Sequence, residues 1–257
     1  MMRKIAAMVL LCSLLLVACA PKETPVETQP QAVIPVSNVT VTRPDGTTER
    51  KEQVYDESGC ILKVNHYENE KLLVSYNVTS DSEGRVLTMT DDAFGTGISM
   101  VYTYDAKGRK ETVETKRNGE TFFIQSYTYH EDGKEATYTE EDLRSSSTVS
   151  YKYSYEDGNL RWEEYYENGQ LLFSWEYGYN ADNERVEGTQ RNSDFLVVGS
   201  RTYARENNVT TVTTLHADGS VRDTKTIQQD ANGSVVKEIF TQDGETTVTE
   251  YTYLQKN

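Results

Sequence analysis

The sequence predicts an all-β protein: an antiparallel meander of about eight 25-residue β-hairpin repeats that forms a twisted, curled or two-layered sheet. Three observations carry this. Turn-forming residues recur on two interleaved ladders, one at Gly59, Gly84, Gly108, Gly133, Gly158, Asn183, Asn208 and Gly233, the other at Glu70, Gly95, Gly119, Arg144, Gly169, Asp194, Gly219 and Gly244. Between these marks apolar and polar residues alternate with period two, as in a half-buried strand. After Pro44 no proline occurs to the end of the chain, which suits a continuous ladder because proline cannot donate to it.

The first eighteen residues read as a secretory signal, with Arg3 and Lys4 as the charged start and Ile5 to Val17 as the apolar core. That core is too short to span a bilayer. Its end, Leu16-Val17-Ala18-Cys19, resembles the lipobox of bacterial lipoproteins. The resemblance implies that Cys19 becomes the first mature residue and carries acyl chains, so that the protein is anchored to a membrane without crossing it. The expected location is a bacterial cell membrane or outer membrane, facing away from the cytoplasm. Cys12 leaves with the signal, and Cys60 is then the one cysteine that is not lipidated. It is expected to be buried or inert.

Residues 19–38 form the expected tether, with Pro21, Pro25, Pro30 and Pro35 among small polar residues. Proline at that density favours extended, solvated chain. Removing the signal leaves 24 basic residues against 41 acidic ones, a formal charge of −17, which argues against nucleic acid and anionic lipid surfaces as partners.

The array is expected over 39–257. Phe173, Trp175, Tyr177 and Tyr179 fall on one face of a strand, with Ser174, Glu176 and Gly178 on the other. Asn-Gly and Asp-Gly pairs at 157–158, 168–169 and 218–219 supply the left-handed conformations that hairpin turns require. Tyr102/Tyr104, Tyr127/Tyr129 and Tyr177/Tyr179 keep the 25-residue step, but Tyr153/Tyr155 sit one residue late. A shorter turn or a bulge just before Gly158 is therefore expected. A closed round barrel of sixteen strands would leave an unfilled lumen, so an open, curled or flattened sheet is the expectation. An outer-membrane barrel is disfavoured by its short strands and by Glu163, Glu164 and Lys225 in mid-strand.

The run Tyr102-Thr-Tyr-Asp-Ala-Lys-Gly-Arg109 resembles the YD or RHS repeat family, whose hairpins wind into sheets and hollow shells. Tyr165-Tyr-Glu-Asn-Gly-Gln-Leu171 is similar to a related short MORN-type repeat. The resemblance spans roughly residues 45–253 and bears on fold far more than on activity.

The tyrosines are expected to be core, stacked across strands. The functional alternative is that Trp162, Trp175, Tyr102, Tyr104, Tyr127, Tyr129, Tyr177 and Tyr179 face a ligand, either envelope glycan or another envelope protein. No metal or cofactor is implied: His66, His130 and His216 read as surface histidines, and no Cys/His spacing suits zinc. The Asp-x-x-Gly turns lack the ligand pattern of a calcium loop. Carboxylate pairs such as Glu163/Glu164 or Glu140/Glu141 could be offered for glycan hydrolysis, but repetition argues against an enzyme. Residues 189–200 are the most divergent stretch. The expected function is a non-enzymatic binding or scaffolding module of the envelope, with a glycan hydrolase or an immunity-type partner of an exported toxin as the alternatives. If the anchor reading holds, cells fed radiolabelled palmitate will label the wild-type chain in the membrane fraction, and Cys19→Ser will abolish both the label and the membrane association.

Overall fold

The computed structural model describes residues 36–92 and 95–254. The signal, Cys19 and the chain up to Pro35 lie outside the described residues. Eighteen strands follow one another: β1 Val36–Thr42, β2 Thr48–Tyr55, β3 Ile61–Glu68, β4 Lys71–Ser80, β5 Val86–Asp91, β6 Ile98–Tyr104, β7 Lys110–Arg117, β8 Glu120–Tyr129 and β9 Glu135–Asp142. The second half continues as β10 Ser147–Glu156, β11 Asn159–Glu167, β12 Gln170–Tyr179, β13 Arg185–Asn192, β14 Val197–Glu206, β15 Val209–His216, β16 Val221–Gln229, β17 Val235–Gln242 and β18 Glu245–Tyr253. Each pairs antiparallel with the next, and β1 pairs with both β2 and β18.

The sheet therefore closes into a barrel. This corrects the expectation of an open, curled or two-layered sheet. Closure matches Val39 with Tyr251 and Val41 with Thr249, pairing two edges that would otherwise offer unsatisfied backbone groups to any passing strand. The strand count also exceeds sixteen. Turns join one more strand than their own number, and the Pro44-Asp45-Gly46 turn adds a seventeenth to the sixteen marks. The first strand begins at Val36, inside the stretch read as tether.

Turns at the two ends of the barrel differ. Most turns at the end where the chain enters are five-residue loops in which an Asp or Asn begins the turn: Asp56, Asp81, Asp105 and Asp230 each accept the backbone N–H of the second and fourth residues beyond. The carboxylates of these turns are thus occupied by their own backbone. At Asp105 the Arg109 guanidinium also holds the carboxyl below its usual range. At the other end, two-residue turns such as Asn118-Gly119 and Asn168-Gly169 have positive φ at both positions, the geometry that matches strand twist. The late tyrosine pair has its expected cause: Asp157-Gly158 is a two-residue turn with φ 49° and 82°, preceded by a register shift between Ser154 and Tyr155.

A second periodic device closes the entry end. The last tyrosine of an even strand donates its hydroxyl to a carbonyl at the start of the preceding strand: Tyr55 to Val36, Tyr104 to Val86, Tyr129 to Lys110, Tyr179 to Leu160 and Tyr253 to Val235, all at 2.6–2.8 Å. A register shift just before Tyr55, Tyr104, Tyr129 and Tyr179 re-aims each ring.

The enclosed face holds the buried side chains. Ile61, Val64, Val74, Tyr76, Val86, Met89, Met100, Tyr102 and Val113 form one cluster along β3–β7, with Val64 at 0% exposure. The outward face is polar. Hydroxyl pairs link Thr79 to Thr88, Thr103 to Thr112 and Thr128 to Thr137 at 2.6–2.7 Å, and Lys63 meets Asp92. This is the reverse of a membrane-spanning barrel, whose outward band is apolar. Removing one capping hydroxyl, as in Tyr129→Phe, leaves the Lys110 carbonyl without its partner and is expected to cost about 1 kcal/mol, read as a lower urea midpoint at unchanged slope.

Candidate functional site

The eight aromatic residues singled out from the sequence do not form one surface. Trp175, Tyr177 and Tyr102 are buried at 3%, 1% and 5% exposure. Tyr104, Tyr129 and Tyr179 are the capping tyrosines. Trp162 pairs with Glu176 and Ser154 on the outward face and is 40% exposed. Only Tyr127 belongs to the most continuous aromatic feature of the barrel.

That feature is a row of rings across five strands of the inner face. Tyr127 lies 5.0 Å from Tyr138, Tyr138 lies 6.2 Å from Tyr151, Tyr151 lies 5.1 Å from Tyr165, and Tyr165 stacks on Phe173 at 4.7 Å and 14°. Tyr153 lies parallel to Tyr151 at 6.3 Å. All six rings are half-buried, unlike the wall on β3–β7. The register makes the row: Tyr151 sits opposite both Tyr138 and Tyr165. Cross-strand aromatic pairs of this kind contribute about 0.5–1.5 kcal/mol each beyond burial.

The sequence held a signal for this row. Each successive pair, Tyr127/Tyr138, Tyr138/Tyr151, Tyr151/Tyr165 and Tyr165/Phe173, is centred within a residue of a turn mark at 133, 144, 158 and 169. Reflection through a hairpin turn is what places two side chains opposite each other.

Two carboxylates flank the row. Glu140 accepts the hydroxyl of Tyr138 and the side-chain amide of Gln125. Glu163, opposite Tyr153 and Trp175, accepts the hydroxyl of Tyr177 at 2.8 Å. Among the described residues no lysine or arginine ion-pairs with either. Burial, followed by the hydrogen bond to Glu140, raises the Tyr138 phenol; burial raises Tyr151 and Tyr165, so these rings stay neutral and present uncharged faces. Cations bracket the row instead. Lys110 Nζ lies 4.3 Å from the Tyr127 ring, Arg185 4.0 Å from Tyr177, and Arg201 4.0 Å from Trp175. Gly188 lets the last two rings lie flat, since a Cβ there would meet them at 3.2–3.3 Å.

The hydrolytic pairs read from the sequence come apart. Glu163 faces inward and Glu164, bonded to Tyr166, faces outward; Glu140 and Glu141 divide the same way, because successive strand residues alternate faces. Glu140 and Glu163 share the inner face but step in opposite directions from the Tyr151 row, which puts their Cα atoms roughly 15 Å apart by strand spacing.

The histidines divide too. His130 and His216 open turns, but His66, expected at the surface, is 7% exposed on the inner face beside Lys51 and edge-on to Tyr76. Its Nε2 has no hydrogen-bond partner. Cys60 is half-buried with its N–H held by Asp56. Among the described residues no three His, Cys, Asp or Glu side chains converge as a metal site.

No protein-family profile and no curated protein matches the chain. Among solved structures, a porin-like protein from Bacteroides uniformis aligns over 85% of this chain and 98% of its own, at 13% identity and TM-score 0.46. A porin-like protein from Bacteroides vulgatus aligns over 86% and 99%, at 10% identity and TM-score 0.35. The TcdB2-TccC3-TEV structure aligns over 83% of this chain and 15% of its own, at 9% identity and TM-score 0.28. At these scores the likeness carries neither family nor function.

Burial, then the Lys51 charge, lowers the His66 pKa from 6.5 to about 4. Because the unfolded chain takes up the proton first, the stability due to neutral His66 is complete above pH 6.5 and is lost as pH falls through about 4. The loss amounts to about 3 kcal/mol. Urea unfolding at pH 7, 5 and 4 will show this slope in the wild type, and His66→Gln will flatten it.

Proposed function

We propose that this chain is a non-enzymatic envelope lipoprotein, anchored at Cys19 outside the cytoplasm, whose barrel is a binding or scaffolding module with its ligand seated on the inner aromatic row. The half-exposed row Tyr127–Tyr138–Tyr151–Tyr165–Phe173 carries the reading. A core made only for stability would bury these rings as it buries Tyr76 and Tyr102. Neutral aromatic faces stack on the apolar faces of sugar rings, and the flanking Glu140 and Glu163 carboxylates accept hydrogen bonds from hydroxyl or amide groups. That combination favours envelope glycan over a polyanion, in keeping with the acidic chain. In a round barrel of eighteen strands the side chains would no longer meet across the interior, which would give an extended ligand room to lie along the wall. The split of Glu163 from Glu164 and of Glu140 from Glu141 supports a role without hydrolysis, since neither pair can flank one bond.

The test is co-sedimentation of residues 20–257 with purified cell-wall sacculi, after circular dichroism confirms that each variant keeps its strands. Saturable binding is expected for the wild type, roughly tenfold weaker for Tyr151→Ala/Tyr165→Ala and unchanged for Trp162→Ala on the outward face. Equal binding by all three would remove the inner row as the site.

A further inference from the structure

The rim opposite the entry end carries an apolar tip that the barrel does not need. Phe195, Leu196, Val197 and Val198 are consecutive and 67%, 63%, 48% and 38% exposed, and Val221 on the neighbouring hairpin is 61% exposed. The pairings of Ser200 with Leu215 and of Leu215 with Val221 set Val198 and Val221 on the same outward face. Four other turns of this rim are polar, Asn69-Glu70, Asn118-Gly119, Asn168-Gly169 and Asp243-Gly244, and the β9–β10 turn exposes a single apolar side chain, Leu143.

Phe195 is also in the wrong conformation for its type. Among the described residues, nine turns have the fourth residue donating its N–H to the carbonyl of the first, and it has positive φ each time. Seven of these residues are glycine and one is Asn183. The ninth is Phe195, at φ 62°. A bulky residue there is strained, and the Asn192 side chain holds the loop by accepting the N–H groups of Asp194 and Leu196. The loop keeps an unfavourable phenylalanine and points it into solvent.

We infer that this tip docks into the interfacial region of a lipid bilayer. Five side chains on two hairpins are far fewer than the roughly 20–30 residues a side of a stable protein interface, whereas a few apolar side chains suffice to enter a bilayer surface. Arg191, opposite Val197 on the neighbouring strand, and Asp194 in the same turn keep the tip at headgroup depth. The inference rests on the anchor at Cys19. Residues 19–35 can span at most about 60 Å and join the barrel at Val36, on the opposite rim. A ten-residue strand rises about 34 Å before tilt, so the tether is long enough for the barrel to turn its far rim onto the membrane that holds it.

The test uses the full lipidated chain in phosphatidylcholine vesicles. Phe195→Trp is introduced on a Trp162→Phe background, with buried Trp175 as the internal reference. Doxyl-labelled phospholipid is expected to quench the indole at position 195 several-fold more than Trp175, with a blue shift of its emission. An indole that stays water-exposed while the chain floats with the vesicles overturns the tip and leaves the anchor standing. A dimer by light scattering without quenching would assign the patch to a second copy and overturn it as well. If the wild type does not float, the anchor reading fails, and the tip is then judged by partition of the Cys19→Ser chain alone. There Phe195→Gly is expected to partition several-fold more weakly while its melting midpoint stays or rises. Equal partition would count against the tip.

Discussion

Pairing of β1 with β18 is the interaction on which the rest depends. A meander of short strands leaves two unpaired edges at its ends, and each edge strand here would present a row of free N–H and C=O groups. Bonding the first strand to both the second and the last removes both edges and gives the sheet an inside. Only then do the alternating residues acquire distinct solvents: one set faces its own kind across an enclosed space, the other faces water.

Closure also explains how charge is distributed. The inner face is mainly apolar along β3–β7, with His66 and Thr115 set into it, and mixed elsewhere, where Glu140, Glu163, Arg201, Lys225 and Glu238 stand among tyrosines. Lys225 and Glu238 pair at 2.9 Å, and Tyr251 donates to Glu238. Such a wall does not require a dry, filled interior. An unfilled lumen does not forbid closure when the register places charged residues on the wall that surrounds it.

The capping tyrosines show how a repeat divides its aromatic residues between two tasks. In Tyr-x-Tyr the first ring lies on the inner face and the second, displaced by a bulge, bonds a carbonyl of the neighbouring strand. Period-two alternation predicts one face for both. The bulge is invisible to that alternation, and it is why Tyr104, Tyr129 and Tyr179 serve the backbone when the sequence put them beside Tyr102, Tyr127 and Tyr177.

Much of this protein was legible in the chain itself. Strand type, turn positions, the shorter turn at Asp157-Gly158 and the polar outward face follow from local rules, because turn chemistry and alternation act over a few residues. The row from Tyr127 to Phe173 is present in the chain as reflections through successive turns. Tertiary structure alone decided three things. It joined Val36–Thr42 to the far end of the chain, a contact across more than two hundred residues that no local pattern encodes. It buried His66 and Trp175 while leaving Trp162 in solvent, since burial depends on which face closure encloses. It set Phe195 in a left-handed turn at an exposed rim, where the divergence of residues 189–200 becomes a definite shape.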